Sequence, residues 1–204
     1  MDADTRAQLL HQAEFLIRTR GYAAFSYADL SERVAIAKAS VHHHFPTKEG
    51  LVVVLVREYL QRFRGTLAGL DREHPEPVAR LRAYAQLFLE GFEQGMLPLC
   101  GALSAELSAL PPAMGPLVQE FFQLQLDWLA GVVARGQAAG ALLPGVQPAQ
   151  AAMVLLSTVE GGSFIGWAFE RKAMVLASFE TALRGLLATA PARPPRPRQR
   201  PARR

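Results

Sequence analysis

Cysteine is almost missing from this sequence. Cys100 stands alone among 204 residues, which excludes a disulfide framework within one chain and fits a reducing compartment. Equally scarce is the alternation of apolar and polar residues that marks strands. Val, Ile and Thr are scattered, while Ala, Leu, Gln, Glu and Arg recur with apolar spacings of three and four. No hydrophobic run follows a basic start, so no secretory leader is expected. The most apolar stretch, AAMVLLSTVEGGSFIGWAF, is interrupted by Glu160 and three glycines, which argues against a membrane span. Also missing are a nucleophile–base pair, a phosphate-binding glycine loop and a carboxylate pair at a useful spacing. These absences predict a cytoplasmic, all-α protein that is not an enzyme and holds no cofactor.

A charge excess is absent from the body as well. The net charge is +4, but six of the 22 basic residues lie between Pro191 and Arg204, where there is no acid, leaving 16 against 18 acidic residues over 1–190. The pI of 9.6 therefore belongs to the tail, ARPPRPRQRPARR, which its composition predicts to be extended and disordered. Such a tail could attract nucleic acid without specificity. Any specific DNA contact has to come from a local arrangement.

What the chain does contain is apolar residues, half of its length, enough for a sizeable core. The periodicity predicts helices at about 5–20, 27–34, 38–44, 48–70, 77–94, 98–109, 113–138, 148–170 and 173–188. Gly21 suits a C-cap, Ser26 with Asp29 a capping box, and Thr47 an N-cap after Pro46. Pro77, Pro98, Pro112 and Pro148 fall at expected first turns. Short elements cluster at the front and long ones follow. The division predicts a small three-helix module over 1–47, a six-helix body over 48–190 and a tail over 191–204.

Three consecutive histidines, His42, His43 and His44, raise the question of a metal site. Neighbouring positions on a helix lie about 100° apart, so three adjacent rings cannot share one ion and no metal is expected. Their setting is a helix-turn-helix. Leu30 and Val34 face inward from one short helix, Ile36 fills the turn, and Val41 with Phe45 anchors the next. Lys38, Ala39, Ser40, His42, His43 and His44 are left outward, a set of donors suited to base edges and phosphates in a major groove.

The stretch LLHQAEFLIRTRGYAAFSYADLSERVAIAKASVHHHFPTKEGL, residues 9–51, resembles the DNA-binding domain of the TetR family of transcriptional regulators. Phe45-Pro46-Thr47-Lys48-Glu49 is close to the family's Phe-Pro-Ser-Lys-Glu. The resemblance implies base or phosphate contacts by Lys38, Ser40, His42 and His43, and phosphate contacts by Tyr27, His44 and Lys48. Four positions depart from the pattern. Ala35 stands where the family has Gly, at a cost of about 1 kcal/mol if φ is positive. Ala37 replaces a capping Ser or Thr, and His42 and His44 replace tyrosines.

For the body, the resemblance implies a dimeric repressor that binds palindromic double-stranded operator DNA and is released by a small hydrophobic effector. The run Leu99–Leu107 resembles the LmrA/YxaF-like branch. The expected cavity is lined by Phe88, Phe92, Met96, Cys100, Leu103, Phe121, Leu124, Trp128 and Phe164. Cys100 is either a small buried hydrophobe or, near a helix start, an electrophile-sensing thiol. The expected dimer face comprises Leu156, Glu160, Gly162, Ser163, Gly166 and Trp167 with Val175, Phe179, Leu183 and Leu186. The competing reading is a small-molecule carrier or adaptor with a vestigial DNA-binding head.

Overall fold

The computed structural model describes residues 2–188; the tail expected to be disordered, 191–204, lies outside them. Among the described residues the long elements are all helices: α1 (Asp2–Arg20), α2 (Tyr27–Val34), α3 (Lys38–His44), α4 (Lys48–Glu73), α5 (Pro77–Glu93), α6 (Leu99–Ala105), α7 (Met114–Ala138), α8 (Pro148–Phe169) and α9 (Ala173–Leu186). The all-α expectation holds.

Local chemistry sets most of the boundaries. Gly21 adopts φ +90° after its N–H has bonded the Ile17 carbonyl, which ends α1. Ser26 and Asp29 form a reciprocal capping box that starts α2. Thr47 accepts from the Gly50 N–H and starts α4. Two of the departures from the family pattern show in the backbone. Ala35 is left-handed at φ 58°, ψ 42°, and Ala37 leads into α3 with no side-chain cap.

Two segments differ from expectation. The helix foreseen over 98–109 breaks at Glu106, whose N–H bonds both the Leu103 and Ser104 carbonyls, tightening the chain into a 3₁₀ turn at Leu107–Ala109. The last helix stops at Leu186, because Leu143 N–H donates to the Leu186 carbonyl and Ala188 N–H to the Ala141 carbonyl, replacing a final turn by a short bridge between Leu142 and Leu187.

One contiguous core runs through the molecule. Leu9, Leu16 and Ile17 of α1, Leu30 of α2 and Val41 of α3 meet Leu51 and Val52 of α4, and the same core continues through Leu81, Leu103, Leu129 and Leu155 to Phe179. The chain thus has a three-helix head, with α4 leading from it into the body. α8 is long and apolar enough to cross a membrane. Here it packs chiefly on α7 and α9, while Met153, Val154, Ile165 and Phe169 remain half or more exposed.

Candidate DNA-binding face and ligand cavity

The head is a platform for α3. Val41 is fully buried and Phe45 nearly so, which leaves Lys38, Ala39, His42 and His43 exposed and Ser40 and His44 partly so. The exposed set spans about two turns of one short helix. His42 is oriented rather than loose. Its ring meets Tyr27 edge-on at 4.7 Å, and its Nδ1 lies 3.4 Å from the Pro46 carbonyl. His43 and His44 meet edge-on, their ring centres 5.7 Å apart. The face therefore offers an ammonium, a hydroxyl and imidazole edges at fixed positions.

Two residues expected at phosphates are occupied elsewhere. Tyr27 is buried, and its hydroxyl donates to the Phe45 carbonyl at 2.8 Å; burial, with the neighbouring Tyr22 adding to it, pushes its pKa up to about 12. It props α3 from behind instead of reaching outward. Lys48 donates to the Tyr22 and Phe25 carbonyls, both at 2.6 Å, with its ammonium 4.3 Å from the centres of both rings. Burial lowers its pKa, against the pull of Glu106 and Asp29. Lys48 thus clamps the loop between α1 and α2.

The other half of that clamp was not foreseen. Glu106, at the end of α6, accepts from the Tyr22 N–H at 2.7 Å and the Ala23 N–H at 2.8 Å. A side chain on Gly21 would run into this carboxylate, so Gly21 serves the contact as well as the turn. Nearby, Arg18 Nε donates to the Leu97 carbonyl at 2.6 Å and Leu97 N–H donates back to the Arg18 carbonyl at 3.1 Å. The head is thus tied to both ends of α6. No sequence signal marked Glu106, since its partners lie 84 and 83 positions away.

In the body, a cavity of about 300 Å³ opens between α1, α4, α5, α7 and α8. Phe88 and Phe121 line it as expected. They are joined by Tyr59 and Phe63 from α4, Pro98, and Glu160 from α8. Phe121 lies 4.9 Å from the Phe63 ring and 5.4 Å from Tyr59, making one aromatic wall. Several expected lining residues are elsewhere. Leu103 is in the solid core. Phe92 packs edge-on against Trp167, and Met96 lines a neighbouring cleft beside His11 and Phe15. Leu124 is packed against the core, outside the cavity lining. Trp128 donates through Nε1 to Asp71 at 3.0 Å near the surface. Phe164 lies against Gly101. Cys100 is fully buried, and burial, reinforced by Glu160, pushes its thiol pKa far up. A buried protonated thiol is a packing group, contrary to the electrophile-sensor option.

The comparisons with known proteins fit this geometry. The model for bacterial regulatory proteins of the tetR family matches residues 9–55. A solved TetR-family transcriptional regulator from Agrobacterium tumefaciens is 32% identical, with 92% of this chain and 100% of that one covered, at a TM-score of 0.89. The chain belongs to the TetR family. The HTH-type transcriptional regulator CymR of Pseudomonas putida is 27% identical over 137 residues, 65% of this chain and 68% of its own. The HTH-type transcriptional repressor KstR2 of Mycolicibacterium smegmatis is 29% identical over 91 residues, 45% of this chain and 43% of its own. Like these relatives, the chain is a transcriptional regulator.

For this TetR-family chain the α8–α9 region requires a correction. Leu156, Glu160, Ser163 and Trp167 do share a face, but that face points inward, and Leu156 and Ser163 are buried. Gly162 and Gly166 do admit another backbone closely, yet it is the chain's own. A side chain on Gly162 would meet the Val175 carbonyl at 2.8 Å, and one on Gly166 the Arg171 carbonyl at 3.1 Å. Val175, Phe179 and Leu183 are fully buried and Leu186 partly so. The exposed large apolar side chains of α8 are instead Val154, Ile165 and Phe169, within about 60° of one another around the helix, and Met153 on another side; they are exposed by 50, 51, 62 and 52%. Ala177, Thr181 and Gly185 of α9 are exposed as well. Because α8 is apolar all round, its sequence pattern does not distinguish the two flanks.

Proposed function

We propose that the protein is a dimeric repressor that binds palindromic operator DNA in the cytoplasm and is released by a small hydrophobic effector held in the body. The observation that carries the DNA reading is α3, a short helix fixed from behind by Val41, Phe45 and Tyr27 and turning Lys38, His42 and His43 to solvent. A head packed this well argues against the carrier reading, in which the helix-turn-helix would be free to decay. Ser40, His42 and His43 are assigned to base edges, with Lys38 and His44 beside phosphates. The LmrA/YxaF-like assignment of the body rests on the run Leu99–Leu107 alone.

Val154, Ile165 and Phe169, exposed on one side of α8, support dimerisation there, since exposed large apolar side chains gathered on one side mark a contact surface. A two-fold pair of heads then reads two half-sites about one DNA turn apart. The route from cavity to head is α6. Pro98 and Arg18 line the cavity, and α6 holds the head through Leu97 and Glu106. An effector that displaces α6 shifts the α1–α2 loop, and with it the spacing of the recognition helices.

Selection of the full chain on random duplexes tests this reading. Enrichment of a palindrome is expected. On that site His42→Ala and His43→Ala should each weaken binding by about 1–3 kcal/mol with little change in melting temperature. Failure to enrich any sequence, or wild-type affinity with both histidines removed, would overturn it.

A further inference from the structure

The inner wall of the cavity carries one unmatched group. Both carboxylate oxygens of Glu160 are buried and neither has a hydrogen-bond partner. The other charged groups of the inner lining are matched. Arg18 is engaged by the Leu97 carbonyl and Glu14, and Arg62 by Glu14, while Glu90 stands exposed. Glu160 reaches its place because α6 has no side chain at Gly101, where an added carbon would lie 2.6 Å from Oε2. An acceptor buried without a donor is destabilising, so this position is complete only when something donates to it.

Resting on the reading of this cavity as the effector site, we propose that it selects compact apolar molecules bearing a hydrogen-bond donor and rejects organic acids. The donor, an alcohol, phenol or amine, bonds Glu160, and the apolar remainder lies against Tyr59, Phe63, Phe88 and Phe121. A carboxylate ligand meets a second carboxylate there and finds both arginines already engaged. The volume of about 300 Å³ is at the low end for ligand cavities, which suits a fused bicyclic ring rather than an extended multi-ring molecule. Glu160 itself lies against Gly101 of α6, so a donor held by its carboxylate is one side chain away from the helix that grips the head.

Four probes of one skeleton separate the cases: 1-naphthalenemethanol, 1-naphthylmethylamine, 1-naphthoate and 1-methylnaphthalene. Calorimetric titration of the full-length protein without DNA should rank the alcohol and the amine at least tenfold above the methyl compound, with naphthoate weakest. Glu160→Gln should abolish the amine's advantage while leaving 1-methylnaphthalene within about twofold. If that variant does not fold, the wild type suffices. The Glu160 carboxyl, raised by burial, titrates near pH 7, so the amine should bind several-fold more tightly at pH 8 than at pH 6, and the methyl compound equally at both. The proposal is overturned if naphthoate binds as well as the alcohol, if all four fail to bind at millimolar concentration, or if the amine is indifferent both to pH and to Glu160→Gln. Donor probes that bind through Glu160 yet leave operator occupancy unchanged would uphold the selectivity and defeat the effector reading of the cavity.

Discussion

Glu160 shows how much one buried group can weigh. Burial lifts its carboxyl from the ordinary 4.5 to about 7, whereas in the unfolded chain it titrates normally. Between those values the folded state binds the extra proton. The stabilisation from this group is therefore complete below about pH 4.5 and is lost as pH rises through about 7, a change on the order of 3 kcal/mol. Its neighbours come from several elements: Tyr59 of α4, Tyr84 of α5, Cys100 of α6, and Arg18 and Glu14 of α1. Tyr59, Tyr84 and Cys100 are held neutral by burial, which raises the pKa of each, so the swing belongs to Glu160. Urea unfolding at pH 5 and pH 8 should show the wild type losing stability relative to Glu160→Gln at the higher pH. Parallel behaviour of the two proteins would remove the buried-carboxylate assignment. Cys100, a few ångströms of packing away in the same core, makes the opposite point: a residue with reactive chemistry is silenced by the same burial.

At the scale of elements, α6 and the loop it holds are the informative pair. Replacing Glu106 by Ala leaves the Tyr22 and Ala23 N–H groups without their acceptor. The expected loss is about 1–3 kcal/mol, read as a lower melting temperature with α2 and α3 still helical by circular dichroism. An unchanged melting temperature would show that the contact carries no energy. Elements of this kind also mark how far a sequence can be read. The capping box at Ser26, the cap at Thr47, the left-handed Ala35 and the uncapped Ala37 were all legible, because each depends on residues within four positions. The outward set on α3 was legible for the same reason, with Val41 and Phe45 fixing which side faces in. Glu106, Tyr59 and the true place of Glu160 were not, since each is defined by a partner on a distant helix. The surroundings of Lys48 were hidden in the same way: its sequence context fits a phosphate, and the two carbonyls that hold it lie more than twenty positions upstream.

For the molecule as a whole, the open question is what covers α8. Val154, Ile165 and Phe169 lie half or more exposed on one side of α8, a side that a partner surface would cover. Ile165→Glu with Phe169→Glu should give a monomer of normal helical content by analytical ultracentrifugation. Phe179→Glu should instead unfold the body, because that ring is fully buried and an unpaired charge there has no solvent. A double variant at 165 and 169 that sediments as a normal dimer would move the interface elsewhere. Weakened dimerisation should also lower operator affinity, since each half-site alone is a small contact.

Lys48 holds carbonyls of the loop between α1 and α2, and Glu106 holds its amides. A boundary drawn after residue 47 thus separates this loop from both of the side chains that hold it. The consequence concerns exchange between relatives. This head grafted onto the body of another regulator carries its own turn but leaves behind Glu106, the carboxylate that completes it. A chimaera built with this head would need, besides a sound junction, a carboxylate where the sixth helix of the new body ends.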